Sequence, residues 1–285
     1  MNKRYINRIK DKAFGFVGLI ATLFGLLILT FLIGQVFYEG FHRIDLDFLK
    51  SLPSRKPEKA GIYTALAGTV WILFLTTIFS LPLGISTGIY LEEYTKKNRL
   101  TDLLEINVSN LAGVPSIIYG LLGLEVFGRM LNLGNSLLAG ALTLSLLVLP
   151  IIIVTTREAI RAVPNSLRMA SYGLGASKWQ TIWEQILPAS MGGILTGVIL
   201  AISRAVGETA PLLVVGALAY VPFAPSSPLD EFTVLPIQIF NWISRPQHGF
   251  SVNAAAAILL LLTITFIMNG VAVYLRNRWQ KKHNW

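Results

Sequence analysis

Two ionisable residues stand inside a strongly apolar stretch of this 285-residue chain: Arg204 and Glu208, in the run AISRAVGETAPLLVVGA. A charged side chain at the centre of a membrane span costs about 2.5–3.5 kcal/mol on insertion scales, so two in one stretch need a reason. Placed four residues apart, they lie on one face of a helix and can pair. One reading is a self-neutralising ion pair that locks helices together. The other is a charged face lining a polar path. An Arg guanidinium carries five fixed donors and suits a tetrahedral oxyanion. Glu208 would then tether Arg204 while the path is empty. Thr209 adds a hydroxyl at the next position. Gly207 lets a neighbouring helix approach, and Pro211 removes a backbone donor and is expected to kink the helix. Arg204, Glu208 and Thr209 are the candidate substrate-path residues.

The remaining polar residues offer little covalent chemistry. There is no Cys, hence no disulfide, thiolate metal site or Cys nucleophile, and the three His (His42, His248, His283) are scattered. No H-E-x-x-H metal motif occurs, and neither does a G-x-x-x-x-G-K-[ST] phosphate loop. The expectation is a chain with no catalytic residues, no metal site and no ATP hydrolysis of its own.

The elements that must position Arg204 and Glu208 follow from composition. Hydrophobic residues make up 53% of the chain and charged ones only 14%, against roughly 25% in a soluble domain. A mean hydropathy of +0.60 agrees. These values exclude a soluble enzyme, a disordered protein and a disulfide scaffold. Six stretches approach the roughly 20 apolar residues that cross a bilayer. They run about Ala13–Tyr38, Thr64–Leu91 (containing Pro82), Leu103–Phe127 (containing Gly113, Pro115 and Gly120), Ser136–Thr155, Met191–Tyr220 and Asn253–Leu275. Helix is the expected state, because strand alternation is missing and lipid offers the backbone no partners. The fold class is all-α, with six transmembrane helices. The start, with Lys3, Arg4, Arg8, Lys10 and Lys12 ahead of an apolar run, resembles a signal peptide, but the run is too long and is read as a retained first helix.

With six spans both termini share a side. Beside that side's loops lie the five N-terminal cations, then Lys96, Lys97 and Arg99, then Arg157, Arg161, Arg168 and Lys178, then Arg276, Arg278, Lys281 and Lys282. The opposite loops hold fewer, mostly in the first one: Arg43, Lys50, Arg55, Lys56 and Lys59. The positive-inside rule then places both termini in the cytoplasm. The net charge of +9 is a membrane signature here, with no nucleic acid implied. The expected layout is a basic N-terminus (1–12), a first span (13–38), an extracytoplasmic loop (39–62), a five-span core (63–275) and a basic tail (276–285). The core includes a cytoplasmic loop (156–190) and a Pro-rich extracytoplasmic loop (221–252), the latter with a short helix near Leu235–Trp242.

The cytoplasmic loop reads VPNSLRMASYGLGASKWQTIWEQILPAS. A short helix capped by Asn165 or Ser166 is expected to reach about Leu174, where Gly173 and Gly175 break it. A second, about Ser177–Ile186, is expected to stop before Pro188. On composition alone this is a surface hairpin without a partner. Its spacing, however, resembles the coupling motif of bacterial ABC importer permeases: Glu-Ala-Ala, three residues, Gly, nine residues, Ile, one residue, Leu-Pro. Gly175 matches the Gly, Ala170 the first Ala, and Leu187 and Pro188 the final pair. Met169, Ser171 and Gln185 replace Glu, Ala and Ile. The resemblance implies a type I importer architecture in which Ala170, Ser171, Gly175, Leu187 and Pro188 belong to a knob that docks on a separate ATPase subunit.

The Arg-x-x-Gly-Glu-Thr-Ala-Pro-Leu-Leu run is more specific and resembles the phosphate importer permeases of the PstA type. AGVPSIIYGLLGL (Ala112–Leu124), LPIQIFNWISRPQ (Leu235–Gln247) and MNGVAVYLRNRWQKK (Met268–Lys282) agree. This resemblance implies transport of inorganic phosphate across the bacterial inner membrane. It also implies an ATPase dimer holding ATP and Mg, a second permease of the PstC type, and an extracytoplasmic phosphate-binding protein. Relatives carry an Arg near Val154. Here Arg157 either takes its place in the path or serves as a cytoplasmic anchor. A permease for sulfate or molybdate is the nearest alternative. An ion-coupled secondary transporter is further off, because it would have no use for the Gly175 loop.

Overall fold

The computed structural model describes residues 3–96, 98–217 and 220–283. Lys97, counted above among the basic loop residues, lies outside the described residues, as do the side chains of Lys3, Arg4, Arg8, Lys281, Lys282 and His283. Among the described residues the structure is helix and loop, apart from an isolated antiparallel bridge between Ser136 and Glu231.

Helix α1 (Lys3–Gly40) starts well before the apolar run, because the basic residues ahead of it continue the same helical turn. The first loop is less open than its polarity suggests. Asp45 caps α2 (Leu46–Lys50) by accepting the Phe48 N–H at 2.6 Å. Phe48 and Ile62 are fully buried against Trp242 and Phe250. Arg43 closes the loop by donating from Nε to Asn253 Oδ1 (2.9 Å) and from Nη2 to the carbonyls of Glu58 (3.0 Å) and Ala60 (3.2 Å).

Helix α3 (Tyr63–Ile89) passes through Pro82 and ends in a wide π turn, Tyr90–Tyr94. The third expected span is two helices. α4 (Arg99–Leu111) and α5 (Ser116–Gly123, widened through Met130) meet at 102° across Gly113–Pro115. Pro115 lacks the N–H that a continuous helix would need there, and the Tyr119 hydroxyl donates to the freed Leu111 carbonyl at 2.8 Å. Helix α6 (Leu137–Arg161) is unbroken and forms the centre of the molecule.

After α6 come α7 (Asn165–Gly173) and α8 (Lys178–Thr181). The capping expectation at α7 is corrected: its N-cap is Pro164, with no side-chain cap, and Asn165 is the first helical residue. The expected stop before Pro188 is also corrected. α8 widens into a π turn (Ile182–Ile186) and continues directly into α9 (Leu187–Gly207). Pro188 falls in the first turn of α9, where its missing N–H costs little, and the wide turn ahead leaves room for its ring. Next are α10 (Ala210–Val215), α11 (Leu235–Ile243, at the short helix expected in the Pro-rich loop) and α12 (His248–His283). In that loop the Asp230 carboxylate accepts the backbone N–H groups of Ser226 and Ser227, which hold it below the usual carboxylate range.

Two glycine stripes sandwich α6. A Cβ on Gly84 or Gly88 of α3 would lie 2.6 Å from Ile152 or 2.7 Å from Thr156. On the other side Gly193 of α9 faces Ala159 at 2.6 Å, and Gly197 faces the Thr155 side chain more closely still. Both stripes have the small-x-x-x-small spacing that lets membrane helices approach to backbone contact. Matching positions rise together between α3 and α6 and run oppositely between α6 and α9. Those helices are therefore parallel and antiparallel respectively. Replacing Gly197 by Leu forces α9 away from Thr155, an overpacking of about 1–3 kcal/mol or more. The expected result is a severalfold drop in membrane-extracted yield and melting temperature, whereas Gly18→Leu, in open space on α1, leaves both unchanged. Equal yields for the two variants would contradict the close packing.

Candidate functional site

The fifth span is where the structure departs furthest from a simple helix, and it carries the charged pair. α9 ends at Gly207 because Pro211 has no N–H for the Gly207 carbonyl, and its ring would collide with that carbonyl in a continuous helix. Glu208 takes an extended backbone (φ −74°, ψ 124°), and the chain restarts with Pro211 in the first turn of α10. The kink expected at Pro211 is thus a full break three residues earlier. Arg204 and Glu208 consequently do not share one continuous helix face. They still meet: Arg204 Nε donates to Glu208 Oε1 at 3.1 Å across the break. The Thr209 hydroxyl lies 3.5 Å from the Gly207 carbonyl, at the same break.

The two partners sit differently. The Glu208 side chain is 15% exposed and borders a gap beside Thr69 and Leu73 of α3 and Val234 and Pro236 near α11. Arg204 is 37% exposed and points out of the chain, beside Tyr119 of α5. Lipid is a poor neighbour for an outward guanidinium at this depth. The exposed part of this side chain therefore calls for a polar space or another protein surface. The two broken spans meet behind it: Gly120 of α5 packs on Pro211 of α10 so closely that a Cβ there would lie 2.7 Å from the Pro211 Cα.

Arg157 belongs to a different cluster. It is level with Leu195 in the α6–α9 contact, so Arg204 lies nine residues further along α9, about 14 Å at 1.5 Å per residue. The Arg157 side chain is 8% exposed and bonds Glu105 of α4 at 2.5 Å and Glu92 after α3 at 3.4 Å. It is locked between helices, unlike a freely solvated anchor. Arg161 also binds Glu92, at 3.0 Å.

Ala170 and Ser171 lie on α7, and the Ser171 and Thr181 hydroxyls are 2.8 Å apart, bridging α7 to α8. Gly175 turns the chain with φ +84°, a left-handed conformation that disfavours a side chain. Leu187 is buried under the hairpin where the π turn becomes α9, and Pro188 follows. The sequence reading missed Arg168, which fixes this hairpin. It binds Glu93 at 2.7 Å and caps α6 by donating to the carbonyls of Val163 (2.7 Å) and Ile160 (3.0 Å). The adjacent acids Glu92 and Glu93 at the end of an apolar span were the available signal.

The family described as binding-protein-dependent transport system inner membrane component matches residues 80–281, from mid-α3 through the hairpin, the broken span and most of α12. The chain belongs to this family. It is therefore a multi-pass membrane permease component of the ABC type. Among similar proteins, the probable ABC transporter permease protein YqgI of Bacillus subtilis is 32% identical over 91% of this chain and 93% of its own length. The phosphate transport system permease protein PstA of Yersinia pestis is 33% identical over 95% and 91%. PstA 1 of Mycobacterium tuberculosis (strain CDC 1551 / Oshkosh) is 35% identical over 88% and 83%. A chain of the bacterial alginate ABC transporter, solved with an alginate pentasaccharide-bound periplasmic protein, superposes with a TM-score of 0.69 at 14% identity, covering 97% of this permease and 98% of that chain. That likeness bears on the fold, which is the type I importer permease architecture.

Proposed function

We propose that this permease carries inorganic phosphate inward across the bacterial cytoplasmic membrane, as the PstA-type subunit of an ABC importer. The observation that carries the reading is Arg204. Its guanidinium is held through Nε by Glu208 at a break between helices, and its side chain is 37% exposed. A guanidinium presented this way can meet a phosphate oxyanion through two parallel bonds. Glu208 keeps the donor oriented and lowers the local positive charge, so the anion is released as readily as it is held. The names of the PstA relatives support the same cargo.

In this reading both termini are cytoplasmic, and the α7–α8 hairpin docks on an ATPase dimer that holds ATP and Mg. Its tip offers a purchase: Leu174, just past the end of α7, is 90% exposed, and Met169 on α7 is exposed too. ATPase closure pushes the hairpin. Arg168 passes the movement to α3 through Glu93 and to α6 through its last carbonyls. A PstC-type permease supplies the other wall of the path facing Arg204, and an extracytoplasmic binding protein delivers phosphate. No covalent step falls to this chain.

The test is uptake of labelled phosphate by cells in which the assembled importer is the sole phosphate route, with sulfate or molybdate as competitor. Expected is uptake that unlabelled phosphate suppresses and a hundredfold excess of sulfate does not, a selectivity of about 3 kcal/mol. Equal suppression by sulfate would assign the path to another oxyanion.

A further inference from the structure

Four aromatic side chains at one end of the bundle are used neither by the core nor by the path. Tyr90 and Tyr94 stack in the turn that ends the second span, with ring centroids 6.3 Å apart and planes 10° from parallel. Trp179 and Trp183 stack at the start of the fifth span, 5.4 Å apart at 12°. All four are exposed, and the two pairs form the walls of an apolar groove floored by Ile182 and Leu187. Lys178 stands at the polar end of this groove, its Nζ 4.8 Å from the centre of the Tyr94 ring. Lys96 is exposed two residues beyond Tyr94. The nearby acids Glu92 and Glu93 are ion-paired to Arg161 and Arg168, and Glu184 is exposed one residue past Trp183, so Lys178 is the cation set directly against the groove wall.

Both helices cross the membrane, so rings at their ends lie at headgroup depth, where Tyr and Trp collect. A basic mouth above an apolar slot at that depth complements a molecule with an acidic head and a hydrocarbon tail. We propose that this groove binds an anionic glycerophospholipid, its acyl chain between the Tyr and Trp pairs and its phosphate beside Lys178. The site is separate from the anion path: it lies on the hairpin side of the membrane and uses none of the residues around Arg204. A lipid seated there touches α3 and the start of α9 at once, the two helices flanking α6.

The test is tryptophan quenching by brominated lipid. The full-length chain in its assembled complex is placed in phosphatidylcholine vesicles containing equal amounts of either brominated phosphatidylglycerol or brominated phosphatidylcholine. The signal from Trp179 and Trp183 is the difference from a Trp179→Phe, Trp183→Phe variant. Expected is quenching by the anionic lipid at about fivefold lower mole fraction, the order that one lysine near an anionic surface contributes. The preference should vanish in Lys178→Gln, an exposed site where folding is not at stake. Equal quenching by the two lipids in the unsubstituted protein overturns the proposal, as does a preference that survives Lys178→Gln. Absence of quenching by either lipid also overturns it, because the groove is then covered by protein.

Discussion

Replacing Arg204 by Gln abolishes phosphate uptake while the amount of assembled permease in the membrane stays unchanged. The expected fall is about two orders of magnitude, since losing a charge-assisted pair to a desolvated anion costs roughly 2–5 kcal/mol. Assembly survives because Arg204 is more than a third exposed and its ionic partner, Glu208, retains a hydrogen-bonding neighbour in the new Gln. Glu208→Gln unbinds the guanidinium and is expected to change the transport rate severalfold, with yield again preserved. The competing account is a purely structural ion pair. It predicts that each single change leaves a buried group unsatisfied and lowers yield, and that a double change to Leu restores both yield and uptake. Uptake set beside subunit yield for the two singles and the double separates the accounts. Wild-type transport by the double apolar variant would end the role of Arg204 in the path.

Substituting Gly175 by Asp disconnects transport from ATP hydrolysis. A non-glycine residue at φ +84° is strained by roughly 1–2 kcal/mol, and Asp tolerates this region better than most. Among the described residues nothing within 4 Å opposes a side chain at this position. The hairpin therefore still forms, held by Ser171–Thr181 and by Arg168, and the damage falls on whatever docks against the exposed turn. Expected is normal insertion and yield, with substrate-stimulated ATP hydrolysis of the assembled complex reduced about tenfold or more. Stimulation at the wild-type level in Gly175→Asp would remove the hairpin from the coupling route.

The sequence reading placed an apolar stretch at each long helix and at the bent α4–α5 pair, but missed the shape of two of them and began the fifth at Met191 where the helix starts at Lys178. Apolar windows measure whether a stretch tolerates lipid and are blind to backbone direction. Pro82, Pro150 and Pro188 lie within continuous helix, whereas Pro115 and Pro211 accompany breaks. What separates them is tertiary. Tyr119 bonds the carbonyl freed near Pro115, and the backbones of Gly120 and Pro211 press together at the junction of the two half-spans. Neither contact is encoded in local spacing. The Arg204–Glu208 contact was legible because its members are four residues apart. The pairs of Arg168 with Glu93 and of Arg157 with Glu105 join residues 75 and 52 positions apart, and to a charge count they read only as loop cations and acids. A separation of 210 positions likewise hid Arg43, whose partner Asn253 is on the last helix.

Helix α1 meets the backbone of α12 at Gly40, and among the described residues no position in its most apolar window is buried within the molecule. This has a consequence for biogenesis. A fully apolar, uninterrupted segment leaves the translocon for lipid on its own account as soon as it is made. The segment bearing Arg204, Glu208 and a helix break does not, because two charges and an interrupted backbone are costly in lipid, whereas its apolar residues Ala201 and Ala205 pack against Tyr119 of α5. The chain therefore anchors itself first through a helix that contributes almost nothing to the packed core. Its broken fifth span is held until enough neighbours have been synthesised to receive it.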